Sequence, residues 1–314
     1  MAAREQRSRE EEFLIDQEPF RSNALLLIDK MLDLSNQVRQ EALVDEILHS
    51  IFFFGKLRKP SVSPESILSH DEMFNDLERR FPEPFKLYSS QLPRRSPFSC
   101  VLDMIVLLLG RQKETDIIGR LRMLIKDLKP DESRDLVPST ICVSNKTDNK
   151  DQVKYYGVSM SAPTGPLPRR FMIAASCLSN WDRYVAGAVM TYFPIKKKNP
   201  HFDGTIKIPQ HVRCQAFDLL DKKSKPPCRS CANMFGLTTA AENVSVYGNC
   251  AEVESLTNLF KNGVDVKEQA RPTSSMYSDE KREKVENLVK GDLRNLLKEK
   301  KWNFTWNGHF YPPR

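Results

Sequence analysis

The chain has 314 residues, 40% of them hydrophobic and 28% charged, with 48 basic against 41 acidic side chains for a formal charge of +7. That composition excludes wholesale disorder and allows one large domain or two ordinary ones. The basic excess suits an anionic partner such as a nucleotide or nucleic acid, yet Arg94 with Arg95, Arg169 with Arg170 and Lys196 to Lys198 are dispersed, and solvated loops explain them equally well.

Residues 1–20 read as a charged tail, and MAAREQRSREEE lacks the apolar h-region of a secretory signal. An intracellular protein is expected, with cytoplasm and nucleus not distinguished. Ser22 offers a cap to a helix whose apolar positions are Leu25, Leu26, Ile28, Met31 and Leu32. A second helix carries Val38, Ala42, Leu43, Ile47, Ile51 and Phe52 and stops at Gly55, before Pro60 and Pro64 break the pattern. Residues 101–109 are the most hydrophobic stretch. Interrupted by Asp103, they fall short of the roughly 20 residues a membrane helix needs, so a buried helix and no membrane are expected. Residues 117–128, with Ile117, Leu121, Leu124, Ile125 and Leu128 at helical spacing, complete a helical region over residues 21–135.

From about residue 150 the texture changes, and the sheet is expected beyond that point. Residues 153–161, 171–178 and 184–193 read as strands, the last two flanking the turn Ser179-Asn180-Trp181-Asp182. Residues 205–208 and 244–247 are short strand candidates, and residues 212–220 read as a helix. Residues 279–300 form a charged helix with Val285, Leu288, Val289, Leu293 and Leu296 on one side. The fold class is thus α+β or α/β: a helical region over residues 21–135, then an α/β domain with a mixed sheet over residues 150–314.

Seven cysteines without an export signal point to thiols or metal ligands rather than a disulfide framework. On that reading the sequons at Asn145, Asn243 and Asn303 are accidental. Cys100, Cys142 and Cys177 stand alone in apolar settings and are assigned to packing. The chemistry gathers elsewhere. In Pro226-Pro227-Cys228-Arg229-Ser230-Cys231 two thiols lie across one turn and can grip one metal. Asn249-Cys250-Ala251-Glu252 then brings a third thiol to a junction followed by Val253, Leu256, Leu259 and Phe260 at helical spacing. Three thiolates leave a tetrahedral zinc one open position for water, which is what separates catalytic from structural zinc. Glu252, two residues beyond Cys250, is placed to take that water's proton and deliver it to a leaving amine, while Glu254 reads as a solvated helix residue.

The pair Cys-Ala-Glu and Pro-Cys-x-x-Cys resembles the two zinc motifs of the cytidine deaminase-like superfamily. Tyr247 to Glu252 is similar to the junction before the glutamate helix of free-nucleoside cytidine deaminases, and Pro227 to Cys231 to their second zinc helix. The resemblance spans roughly 35 residues, and only the co-occurrence of two common motifs makes it specific. It implies zinc on Cys228, Cys231 and Cys250, Glu252 as the catalytic proton shuttle, and hydrolytic deamination of a cytosine or adenine in a nucleotide or nucleic acid. It also implies a deaminase-like mixed sheet with helices on its faces. In the family the Cys-Ala-Glu helix comes first; here the order is reversed, with 18 residues between Cys231 and Cys250.

The same residues also fit a structural zinc site closed by Cys214 as fourth ligand, with His201 and His211 behind it, or buried thiols with no metal at all. The chain would then be a non-catalytic interaction or regulatory protein, or an inactive deaminase-like domain whose N-terminal helices bind a protein partner. Trp181 and His309, the latter in an aromatic-rich terminal stretch, are candidates for stacking on a base or for plain packing.

Overall fold

The computed structural model describes residues 2–128, 133–147, 153–163, 166–195, 197–221, 223–299 and 304–312, with side chains placed from residue 17 onward. The chain opens with helix α1, Ala2–Val38, which runs through the expected tail and through Pro19. Ser22 is therefore interior to the helix rather than its cap, and its hydroxyl donates to Glu18 Oε1 at 3.0 Å. The capping reading fails because the buried face already begins at Phe20, so the helix has packing to sustain it upstream of Ser22. After Arg39, at φ 55°, comes α2, Glu41–Lys56. Gly55 lies in its last turn, where a Cβ would stand 2.5 Å from the Val62 carbonyl oxygen that folds back over it. The proline-marked break yields α3, Pro64–Leu68, capped by the Ser63 hydroxyl, then α4, Asp71–Arg80, and α5, Pro82–Leu87. A two-residue strand β1, Leu92–Pro93, leads to α6, Pro97–Leu109, and α7, Glu114–Asp127.

The antiparallel sheet starts earlier than expected, with β2, Thr140–Lys146, followed by β3, Tyr155–Val158. Residues 171–178 and 184–193 are not strands. They lie in α8, Pro166–Ser179, and α9, Arg183–Met190. Phe171 to Ala175 and Tyr184 to Met190 are buried on every side, so no polar face marks a helical period, and a short apolar run then looks the same in either state. The Asp182 carboxylate caps α9 by accepting from the Tyr184 amide at 2.9 Å. Conversely, the helix expected over residues 212–220 is strand β4, Val212–Asp218, which pairs with β2 along all seven residues from Thr140↔Asp218 to Lys146↔Val212. That ladder overrides local preference. The short strand β5, Ser224–Lys225, completes a sheet ordered β3-β2-β4-β5.

Residues 205–208 and 244–247 join no sheet; Ile206 and Ile208 donate their amides to the Met234 and Phe235 carbonyls instead. The remaining elements are α10, Arg229–Phe235; α11, Ala251–Asn262; α12, Val264–Gln269; α13, Asp279–Glu299, as its pattern predicts; and β6, Phe310–Tyr311. β6 pairs in parallel with β1, tying the end of the described chain to its first half. The architecture is mixed α and β, with α11 lying across β3, β2 and β4. One contiguous cluster of buried apolar side chains runs from Phe20 through Ile141 and Val189 to Phe304.

Candidate metal centre

From β5 the chain passes through Pro226 and Pro227 into α10, with Cys228 as the extended residue capping it and Cys231 in its first turn. Gly236, at φ 67°, ends that helix. The chain then returns to Gly248, at φ 89°, where a Cβ would stand 2.8 Å from Ile173 and 3.2 Å from Trp181. Only glycine accepts both that backbone and that crowding. Trp181 thus buttresses the turn that delivers Asn249 and Cys250. Cys250 in turn caps α11, with the Val253 amide donating to its carbonyl at 3.2 Å. Two helix starts therefore face each other.

Their sulfurs meet. Cys228 Sγ lies 3.6 Å from Cys231 Sγ and 3.4 Å from Cys250 Sγ, and all three fall within 4.8 Å of one another. Thiolates about 2.3 Å from a tetrahedral zinc stand about 3.8 Å apart, so the donor set matches a three-thiolate cradle in kind and spacing. Hydrogen bonding with Cys231 and Cys250 holds Cys228 far below the usual thiol range, and the same contacts push Cys231 and Cys250 up. The three thiols are thus tightly coupled to one another, and a cation bound among them would favour their deprotonated forms.

Glu252 is on the first turn of α11 and 4% exposed; burial pushes its carboxyl above the ordinary 4.5. Together with Cys228, Cys250 and Ala251 it lines a cavity of about 350 Å³. The rest of the wall sets the polar groups of Thr140, Ser159, Lys225, Asn243 and Asn249 among the apolar Ala216, Pro226 and Ala241. Lys225 Nζ is held by Asp218 at 2.6 Å and Thr140 Oγ1 at 3.4 Å, whereas Asn249 Oδ1 is buried without a protein partner. None of these polar wall residues was legible in advance, because they come from five separate segments and share no motif; only the Cys228-to-Glu252 spacing carried a signal.

Other expected residues fall elsewhere. Cys214 is outside the triad, its sulfur 3.6 Å from that of Cys142. His201 is exposed, and neither it nor His211 joins the cluster. Glu254 is not solvated: it is buried beneath α6 and β3, accepts from the Val158 amide at 2.8 Å, and has its carboxyl pushed up to about 7 by burial. The spacing of α11 gave no hint that both of its sides would be covered. Cys100, Cys142 and Cys177 are buried as predicted. Arg95 is paired with Glu46 and Asp103, Arg170 with Asp292 and Lys198 with Asp203, so one member of each basic cluster has its own acidic partner. His309 is exposed on a tail that packs against β1, its carbonyl accepting from the Leu92 amide at 3.3 Å and from the Trp306 indole at 2.7 Å. Among the described residues, no helix is long and apolar enough to cross a membrane.

Comparison of the chain with protein-family models, curated proteins and solved structures finds no match.

Proposed function

We propose that the chain is a zinc-dependent hydrolytic deaminase acting on a cytosine or adenine base in a nucleotide or nucleic acid. The observation that carries this reading is the convergence of Cys228, Cys231 and Cys250 beside Glu252 in the wall of one cavity. Zinc bound by the three thiolates supplies Lewis acidity and lowers the pKa of water at the site towards neutrality. Glu252 then does the proton work. Its carboxylate accepts a proton from the attacking water and returns it to the departing amine, which leaves as ammonia. A carboxyl whose pKa burial has raised is suited to holding that proton between the two steps. Asn249 Oδ1, with no protein partner, and the neighbouring hydroxyls supply hydrogen-bond partners for a polar heterocycle.

The same reading gives residues 150–314, extended by β2, the catalytic role. The helices over residues 21–135 serve to support the sheet or recruit a protein partner. Cys214 lies outside the triad and, among the described residues, no fourth cysteine, histidine or carboxylate joins it, which supports the catalytic over the structural form of the site.

The test pairs a substrate panel with one substitution. Zinc-loaded wild type is offered cytidine, adenosine, their nucleotides and single-stranded DNA or RNA, with ammonia release and base mass as readouts. One of these is expected to turn over, and Glu252→Gln to keep zinc while losing at least about 10²-fold in rate, the usual scale for a lost general acid-base group. Zinc-loaded wild type inert on the whole panel would return the site to a structural role.

A further inference from the structure

Beneath the first turn of α11 lies a second pair of thiols. Cys142 on β2 sits opposite Ala216, and Cys214 on β4 sits opposite Ser144, so the two cysteines are diagonal neighbours on one face of the sheet. Their sulfurs are 3.6 Å apart. Cys142 packs with Ala216 and Ala251, and Cys214 lies against the same small cluster while remaining partly exposed. Among the described residues no third cysteine, histidine or carboxylate joins them within ligand reach, so the pair lacks the donor set of a metal site.

We propose that Cys142 and Cys214 are an oxidation site at which a hydroperoxide converts the dithiol to a disulfide. The partly exposed Cys214 sulfur attacks the peroxide, breaking its O–O bond, and becomes a sulfenic acid while water or an alcohol leaves with the thiol proton. The Cys142 sulfur then attacks that of Cys214. The S–O bond breaks, an S–S bond forms, and the Cys142 thiol proton departs with the hydroxyl as water. Cys142 is buried and shielded from the peroxide whereas Cys214 is partly exposed, so oxidation begins at Cys214.

The geometry also fixes the character of the product. Diagonal residues of a flat antiparallel pair have Cα atoms about 7–8 Å apart, whereas a relaxed disulfide spans about 4.4–6.8 Å. Closing the bond draws β2 and β4 together under Ala251, the residue between Cys250 and Glu252. The resulting disulfide is strained and easily reduced, a reversible mark rather than a structural clamp.

The test reads thiols alone and is independent of any deaminase activity. Full-length protein, as purified with its bound metal, is treated with graded hydrogen peroxide, denatured, alkylated, digested and mapped by mass spectrometry. At the lowest effective dose, two of the seven thiols should escape alkylation, in a peptide pair containing Cys142 and Cys214 and lacking two hydrogens. A dithiol reductant should restore both. In Cys142→Ala no cross-link should form, and Cys214 should stop as a sulfenic acid that a 1,3-diketone captures. Full alkylation of Cys142 and Cys214 after Cys228, Cys231 and Cys250 have oxidised would overturn the proposal, as would sulfinic acid at Cys214 of the wild type without any cross-link.

Discussion

Glu254 accepts the Val158 amide hydrogen bond while buried, and its carboxyl is pushed up from the ordinary 4.5 to about 7. Unfolding returns it to the lower value, so between about pH 4.5 and 7 the folded chain holds a proton that the unfolded chain releases. Stability from this group is complete below about pH 4.5 and is lost as pH rises to about 7, a total of about 3 kcal/mol from the size of the shift. Glu254→Gln removes the dependence. Urea midpoints at pH 5 and pH 8 should show the variant gaining about 2 to 3 kcal/mol on wild type across that interval; parallel profiles would contradict the burial argument. At the triad, Cys250→Ala should abolish stoichiometric metal as measured by elemental analysis, because two thiolates cannot replace three, whereas Glu252→Gln should bind it normally. These residues were legible in the sequence because cysteines are few and the spacing of Cys228, Cys231 and Cys250 is restrictive. The acceptor at Asn249 and the ion pair of Lys225 were not, since their roles arise only when distant segments fold together.

Contact between β3 and α11 positions the turn that carries Cys250 and Glu252, and it depends on Gly157. A Cβ there would stand 2.2 Å from the Ser255 amide nitrogen and 2.5 Å from the Ala251 carbonyl oxygen, both backbone atoms with little freedom to move. Gly157→Ala should therefore push α11 off the sheet, costing roughly 1–3 kcal/mol or more in urea unfolding and weakening metal retention. A variant as stable as wild type would show that α11 is not clamped at this point. Elements with one polar face, such as α13, could be read from their periodicity. Those wrapped in core could not: α8 and α9 have little solvent face to break their apolar runs, and β4 owes its conformation to the ladder with β2. Local sequence reports the boundary between protein and water, and it falls silent where that boundary is distant.

Across the whole molecule, the buried cluster passes without interruption from α1 and α2 through α6 to β3, α8 and α13. Heat or urea should therefore unfold the chain in one transition followed alike by tryptophan fluorescence and far-ultraviolet circular dichroism; two separated transitions would instead mark residues 21–135 and 150–314 as independent domains. The order of the two cysteine motifs, Cys228 with Cys231 before Cys250, needs no extra strand. The residues between Cys231 and Cys250 finish α10 and loop back, and α11 then lies over the sheet that β2, β3 and β4 have already formed. That order bears on how the protein is made. Cys228 and Cys250 are 22 positions apart, and a ribosome adding about 5–20 residues per second delivers both within a few seconds. The helices and strands that form the floor and walls of the cradle emerge first, so the three cysteines can come together while α13 and β6 are still being synthesised. If the triad takes zinc as proposed, depletion of zinc during translation is the condition that would leave it empty.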